Sequence, residues 1–245
     1  MSSTAAPEAQ GAPLYAGKAK SLYPHDAGHL RMVFRDDLTA FDAVKKATMR
    51  GKGFYNCQIA ATLLPVAERA GVPTHFVRLL SDTEHLVKRV KIIQLEVLVR
   101  NIAAGSIVKN YGFVEGTEFK KPIVMFDLKE DRFHDPLLNE EIAEALGVSN
   151  AAEMRELHGM ALKVNAALRA YLEPRGLLLP DFKLEFGHDL EGRLILADEI
   201  SADTCRFWDS KTKRSLDKDV FRFDKGDVLA TYKEAYERIT GKQAA

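Results

Sequence analysis

From Leu177 to Gly187 the chain runs LLLPDFKLEFG, and no other stretch limits its fold as tightly. Side chains alternate between the faces of a β-strand, so Phe182, Leu184 and Phe186 point one way and Asp181, Lys183 and Glu185 the other. The apolar row must pack against another layer of structure. The charged row fits either a solvated sheet surface or the wall of a carboxylate-lined cleft. The next segment favours the cleft. Arg193 to Ile200 is a second strand-like run, joined through HDLEG as an antiparallel hairpin, and LILADEISADTCRFWD carries Asp198, Glu199, Asp203 and Arg206. Adjacent strands set Glu185 near Asp198 or Glu199, and the loop leaves open which of the two. Crowded carboxylates repel unless a cation or a basic side chain lies among them. Hard divalent ions such as Mg2+ take carboxylate oxygens together with substrate phosphates.

The rest of the pattern predicts an α+β protein with sheets in both halves. Residues 14 to 53 are strand-rich, with Leu14-Tyr15 and Ser21-Leu22-Tyr23 flanking a GKAK turn and another β run over Leu30 to Phe34. Asn56 to Ala70 has the apolar spacing of a helix, ended by Gly71 and Pro73, and Pro65 inside it predicts a kink or a late start. Ile92 to Val99 is an apolar run with one charge, Glu96, as in a buried strand. Asn150 and Glu153 have capping-box spacing. After them Met154, Leu157, Ala161, Val164, Leu168 and Tyr171 line one face of a long helix that Gly176 stops. Val228, Leu229, Tyr232, Tyr236 and Ile239 mark a C-terminal helix.

Composition narrows the function. The 245 residues carry 35 acidic and 35 basic side chains, a balance that gives no support to a nucleic-acid or membrane-surface binder. No apolar run approaches the ~20 residues that span a bilayer. Cys57 and Cys205 lie outside any C-x-x-C pair, which points to reduced, cytoplasmic thiols rather than a disulfide framework or structural zinc. MSSTAAPEAQGAP has no apolar core or early basic residue; residues 1–13 are expected to be a disordered tail and not a targeting signal.

Two further segments carry chemistry. In GKAK, Gly17 permits close backbone approach to a ligand, and Lys18 and Lys20 share a strand face that would neutralise phosphates; an exposed turn is the plainer account. No Walker A loop occurs. In LEVLVRNIAAGS, Arg100 ends an apolar strand and suits a carboxylate or phosphate, with Ser106 at the following helix start; a structural ion pair is the alternative. FRDDLTAFD (residues 34–42), RGKGFYN (50–56) and FHDP (133–136) are polar or Gly-rich loops, of which turn chemistry alone gives an account. His134 has no partner at metal-ligand spacing, and neither G-x-S-x-G nor H-E-x-x-H is present.

LYAGKAKSLY, FRDDLTAFD, GKGFYN, LEVLVRNIAAGS, FHDP, DFKLEFG and DEISADTCRFWD, in that order, closely resemble the SAICAR synthases from about Leu14 to about Ile239. Gln94 and Ala202 stand where that family usually has proline, which bears on local backbone shape only. The resemblance implies a two-lobed fold related to the nucleotide-binding lobes of ATP-grasp enzymes and protein kinases. Residues 14–84 would form a small β-rich lobe over the nucleotide, and 85–245 a larger α+β lobe with the metal and substrate groups. It implies ATP over Gly17, Lys18, Ala19 and Lys20, and Mg2+ on Glu185 and Asp198. Lys183, Asp181 and Asp135 would stand by the reacting groups. Arg100, Ser106, Arg206 and Asp37 would hold the ribonucleotide substrate. The aspartate-binding residues receive no assignment.

The implied reaction joins L-aspartate to 5-amino-1-(5-phospho-D-ribosyl)imidazole-4-carboxylate (CAIR) through an acyl phosphate, in purine biosynthesis. Short family members are often homodimers, and the resemblance carries that expectation. Asp181 is a candidate base for the amine, although a carboxylate is a weak base for an ammonium. Two rivals rank below this reading. A small-molecule kinase of related fold should carry H-R-D and D-F-G motifs, which are missing. A non-catalytic nucleotide sensor should lack the metal carboxylates, yet Glu185 and Asp198 are present.

Overall fold

The computed structural model describes residues 11–40 and 44–244. The expected tail therefore lies outside the described residues as far as residue 10, as do Phe41 and Asp42 of the FRDDLTAFD segment. The strand-rich start is borne out by β1 (Tyr15–Ala16), β2 (Lys20–Pro24), β3 (His29–Phe34), β4 (Asp37–Ala40) and β5 (Lys45–Thr48). Helix α1 (Lys52–Arg69) precedes β6 (Phe76–Ser81) and β7 (Glu84–Lys88). Strands β1, β2, β3, β7 and β6, in that order, form an antiparallel sheet, and β4 pairs with β5 as a separate ribbon.

The second half begins with the long strand β8 (Lys91–Ile102), then α2 (Ser106–Tyr111), β9 (Glu118–Leu128), α3 (Glu140–Ala145) and α4 (Ala151–Leu172). It continues through β10 (Leu177–Leu178), β11 (Asp181–His188), β12 (Leu194–Leu196), β13 (Trp208–Asp209), α5 (Asp219–Arg222) and α6 (Val228–Thr240). Its main sheet has the antiparallel order β12-β11-β8-β9. The two large sheets are tied where His75 N–H donates to the Leu196 carbonyl at 2.8 Å and Leu196 N–H to that of Pro73 at 2.9 Å.

The predicted alternation along β11 holds. Phe182, Leu184 and Phe186 are buried beside Leu95, Val97 and Val99 of β8 and the apolar stripe of α4. Burying each such side chain stabilises the fold by about 1.5–3 kcal/mol. Helix α4 begins where the Asn150 side chain accepts from the Ala152 and Glu153 N–H groups, each at 3.0 Å. The reciprocal half of the capping box is not made, because the Glu153 carboxylate instead accepts from the Ser149 hydroxyl at 2.6 Å.

Three boundaries differ from the pattern. Helix α1 starts at Lys52, within the stretch read as a loop, because Asp36, distant in sequence, accepts from the Gly53 N–H at 2.9 Å. Pro65 sits inside this helix without delaying its start. The run from Leu177 breaks between Leu178 and Asp181, at a proline that has no N–H for the ladder. Strand β12 stops at Leu196, so Asp198 and Glu199 occupy the bend that follows it.

Candidate active site

Between the two large sheets lies a cleft of about 1960 Å³. Pockets for one small ligand occupy about 300–1,000 Å³, so this one has room for more than one substrate. One wall is apolar, with Leu22, Leu30, Met32 and Val87 of the first sheet; the charged face of β8 and β11 also lines the cleft. All thirteen residues singled out for the site from sequence line this cleft.

The ladder between β8 and β11 creates the electrostatic centre. It sets Asp181 opposite Arg100 and Glu185 opposite Glu96. Like charges directly across a sheet destabilise it. Lys183 relieves the clash by donating to Glu96 at 2.9 Å and to Glu185 at 2.5 Å, with Asp198 3.4 Å away. Lys129 donates to the same Glu185 oxygen at 2.7 Å. Burial alone would raise the Glu185 carboxyl, but Lys183, Lys129 and Lys20 outweigh it and hold it well below its ordinary range. Burial also opposes the Lys183 charge, and Glu185 and Glu96 reverse that effect and keep the ammonium firmly protonated. The bulge between Glu185 and Gly187 brings the two strands close: a Cβ at Gly187 would sit 2.4 Å from the Lys91 carbonyl oxygen, so only glycine fits.

Strand parity turns out not to choose between Asp198 and Glu199. Past the end of β12 both are buried, and both accept from the Lys20 ammonium. Burial, opposed by Glu185 and Asp203 and aided by Lys183 and Lys129, brings Lys20 down to about 7. Burial, reinforced by Asp203, pushes the Asp198 carboxyl well up. Such a site favours an incoming anion beside Lys20 or a cation beside Asp198. Lys18 contacts Asp131 at 2.7 Å at the cleft mouth. Gly17 and Ala19 complete the turn between β1 and β2, and the Gly17 carbonyl accepts from Arg35 at 3.2 Å.

A second charged centre is built around Asp181. Arg100, only 2% exposed, donates to Asp181 at 2.9 Å and to the Ser106 hydroxyl at 2.7 Å. Arg206 donates to both Asp181 oxygens at 2.9 and 2.8 Å and through Nε to Asp219 at 2.7 Å. Residues 204–206 continue along the edge of β11, with Arg206 N–H on the Asp181 carbonyl at 2.9 Å. Gly105 makes room for the same guanidinium: a Cβ there would lie 2.4 Å from Nη2, and its φ of +62° is itself one that glycine tolerates best. Asp181 therefore orients two guanidiniums, a geometry better suited to positioning than to taking a proton from an amine.

The remaining predicted residues sit at the edges. Asp37 accepts from Arg35 Nε at 2.7 Å and from the Thr48 hydroxyl at 3.4 Å. Asp135 accepts from the Glu130 N–H at 2.9 Å and is raised by burial and by Glu96. His134 and Asp135 both have positive φ, in keeping with the expected turn. Several lining residues had escaped assignment. Glu96 was visible as the lone charge in an apolar run. Lys129, Lys218 and Arg222 have no distinguishing local pattern. Lys52, 1% exposed, donates to Asp203 at 2.6 Å, and the Tyr232 hydroxyl holds the other Asp203 oxygen at 2.7 Å. No cluster of three or more His, Cys, Asp or Glu arranged to hold a metal occurs among the described residues.

The sequence profile described as SAICAR synthetase matches residues 13–239. A phosphoribosylaminoimidazole-succinocarboxamide synthase of Methanosarcina acetivorans is 54% identical over 227 residues, 92% of this chain and 95% of its own. One from Thermococcus kodakarensis is 51% identical over 229 residues, covering 94% of this chain and 97% of its own. A solved structure described as SAICAR synthetase (Type-2) in complex with ADP superposes with a TM-score of 0.92 at 49% identity, over 94% of this chain and 99% of that one. With profile, relatives and fold in agreement over nearly the full length, the chain belongs to the SAICAR synthetase family.

Proposed function

We propose that this chain is an ATP-dependent carbon–nitrogen ligase of purine biosynthesis that joins L-aspartate to CAIR, giving SAICAR, ADP and phosphate. The observation that carries the reading is one cleft, in a chain of this family, that sets the Lys20, Lys183 and Lys129 ammoniums beside Glu185, Asp198 and Glu199.

A carboxylate acylates poorly because oxide is the leaving group. Transfer of the ATP γ-phosphoryl to a carboxylate oxygen of CAIR breaks the bond to ADP and makes an acyl phosphate. The aspartate amine then attacks the acyl carbon, phosphate leaves with the bonding electrons, and the nitrogen loses a proton. Phosphoryl transfer asks a protein for positioning and positive charge on the moving oxygens. Lys18, Ala19, Lys20 and the Gly17 backbone take the phosphates in this scheme, with the base of ATP against the apolar wall. Lys183 stands beside the reacting carboxylate. Arg100, Ser106 and Arg206 take the ribonucleotide phosphate, with Asp181 as the residue that positions both guanidiniums. Asp37 and Asp135 border the same substrates.

Glu185 and Asp198 fit Mg2+, which commonly uses one or two carboxylates and completes its shell with substrate phosphates and water. The raised Asp198 carboxyl is a buried group that a cation would return to its charged form. When bound, the ion supplies charge neutralisation at the phosphates. The two-lobed division, residues 14–84 over the nucleotide and 85–245 beneath it, the homodimeric state and a cytoplasmic location belong to the same proposal. No described helix is long and apolar enough to cross a membrane.

The test is ADP release with Mg2+, ATP, CAIR and L-aspartate, omitting each in turn, beside a Glu185→Ala control. The reading expects dependence on all three substrates, one succinocarboxamide per ADP, and loss of about a hundredfold or more in the control. ADP release that runs equally fast without aspartate would make the chain a kinase or an ATPase instead.

A further inference from the structure

A second cavity, of about 330 Å³, shares no lining residue with the cleft. That volume is at the lower end of the range that holds one small ligand. Two local devices build it. Trp208–Asp209 and Arg214–Ser215 close an antiparallel turn, in which the Asp209 N–H donates to the Arg214 carbonyl at 2.9 Å. The Asp209 carboxylate accepts from the Thr212 N–H at 2.7 Å within it. Lys213, Arg214 and Ser215 of this turn line the cavity. The start of α6 supplies Asp227, Ala230, Thr231 and Glu234, which are three and four apart and so share one helix face. Val220 of α5 adds apolar surface, while Arg222 of the same helix lines the main cleft.

The cavity carries the cations Lys213, Arg214 and Lys225 against the carboxylates Asp227 and Glu234. Both carboxylates are committed. Glu234 accepts from Arg214 at 2.5 Å and from Arg238 at 2.6 Å, and Asp227 caps α6 by accepting from the Ala230 N–H at 3.0 Å. Among the described residues Lys213 and Lys225 make no ion pair, and the Lys225 ammonium lies 5.1 Å from the centre of the Phe223 ring. Solvated surface lysines would account for these charges. They do not account for Ser215, which lines the cavity at 8% exposure with a buried hydroxyl that has no hydrogen-bond partner among the described residues. Native proteins pair nearly all such groups, with water or a ligand where the chain supplies nothing. A serine hydroxyl turns about one bond to reach a partner.

Two ammoniums, a hydroxyl donor and the positive end of α6 suit a doubly charged anion with several acceptor oxygens. A phosphoryl group carries about −1.5 to −2 and three strong acceptors. A carboxylate brings one charge and two oxygens. We propose that this cavity is a second ligand site, in which Lys213, Lys225 and the Ser215 hydroxyl bind a phosphoryl group. The group arrives as free phosphate or on a small metabolite. The site stands independently of the ligase reading.

NMR of the backbone amides in the full chain tests it. Inorganic phosphate and, separately, AMP are titrated against sodium chloride of equal ionic strength, with the Ser215, Gly226 and Ala230 N–H groups as reporters. Saturable shifts are expected with phosphate or AMP. Saturation by AMP at lower concentration assigns the group to a metabolite, and equal saturation assigns it to free phosphate. Lys213→Gln and Lys225→Gln should each weaken binding roughly 10-fold or more, the range for one charge-assisted hydrogen bond, and Lys225→Arg should retain it. Ser215→Ala should weaken binding yet unfold at no lower temperature than wild type in phosphate-free buffer, because the hydroxyl removed has no internal partner. Unaltered thermal unfolding certifies the fold of the lysine variants. Equal shifts with sodium chloride, an adventitious ion only, overturn the site. So do unmoved reporters with both probes, wild-type binding by the Lys213→Gln, Lys225→Gln double variant, or a lowered unfolding temperature in Ser215→Ala.

Discussion

Asp181→Asn separates orientation from proton transfer in the centre that joins β8 to β11. The wild-type carboxylate accepts three guanidinium bonds of 2.8–2.9 Å, one from Arg100 and two from Arg206. Asparagine keeps the shape but carries no charge and turns an N–H2 toward one guanidinium. Arg206 retains Asp219, at 2.7 Å from Nε. Arg100 retains only the Ser106 hydroxyl and the Ala104 carbonyl, and is left buried without a carboxylate partner. Removing one member of a buried pair costs about 3–5 kcal/mol. For a chain of this size each kcal/mol lowers Tm by about 2–4 °C, so a fall of roughly 6–20 °C is expected. Misaligned guanidiniums should raise the KM for CAIR more than they lower kcat. Thermal unfolding with and without CAIR, beside steady-state kinetics in each substrate, gives both numbers. A Tm within a degree of wild type, with an unchanged CAIR KM and a kcat lower by about 10²–10⁴, would instead make Asp181 the proton acceptor and refute the orienting role.

Two further expectations concern buried titratable groups. Lys52→Met strands the Asp203 carboxylate and should cost about 3–5 kcal/mol at neutral pH. Burial works against the Asp203 charge, but Lys52 and Lys218 hold its carboxyl below the ordinary 3.8, so its contribution is present above that pH and is lost as pH falls below it. The deficit of the variant, measured by urea unfolding, should therefore shrink toward low pH; a deficit constant from pH 7 to pH 3 would show that the pair is not its source. Burial also brings His75 to about 3 and His85 to about 4, both from 6.5. Each neutral ring favours the fold fully above pH 6.5, and that stability is lost as pH falls toward the folded value, by roughly 2 kcal/mol per histidine at pH 5. His75→Leu should flatten the acid limb between pH 6.5 and 5, and an equally steep limb in that variant would contradict the assignment.

The chain alone determined a good part of this protein. Strand alternation in Asp181–Gly187, the apolar run at Ile92–Val99 and the stripe on Met154–Leu168 are properties of short windows, and backbone geometry converts each window directly into a buried face. Motif order carried the family, and every residue it nominated lines one cleft. The ends of elements were less legible, because partners far along the chain set them: Asp36 starts α1, and pairing with β11 ends at Leu196. Tertiary structure alone decided the charge matching. Lys18 meets Asp131, Lys20 meets Asp198 and Glu199, and Lys52 meets Asp203, across separations of 113 to 179 residues. Nothing in a local window encodes which carboxylate a lysine will meet, since the energy of an ion pair depends on distance and burial in the folded chain. For the same reason Lys218 looks like any other lysine in the sequence, and only the fold sets it in the cleft within the field of Asp203.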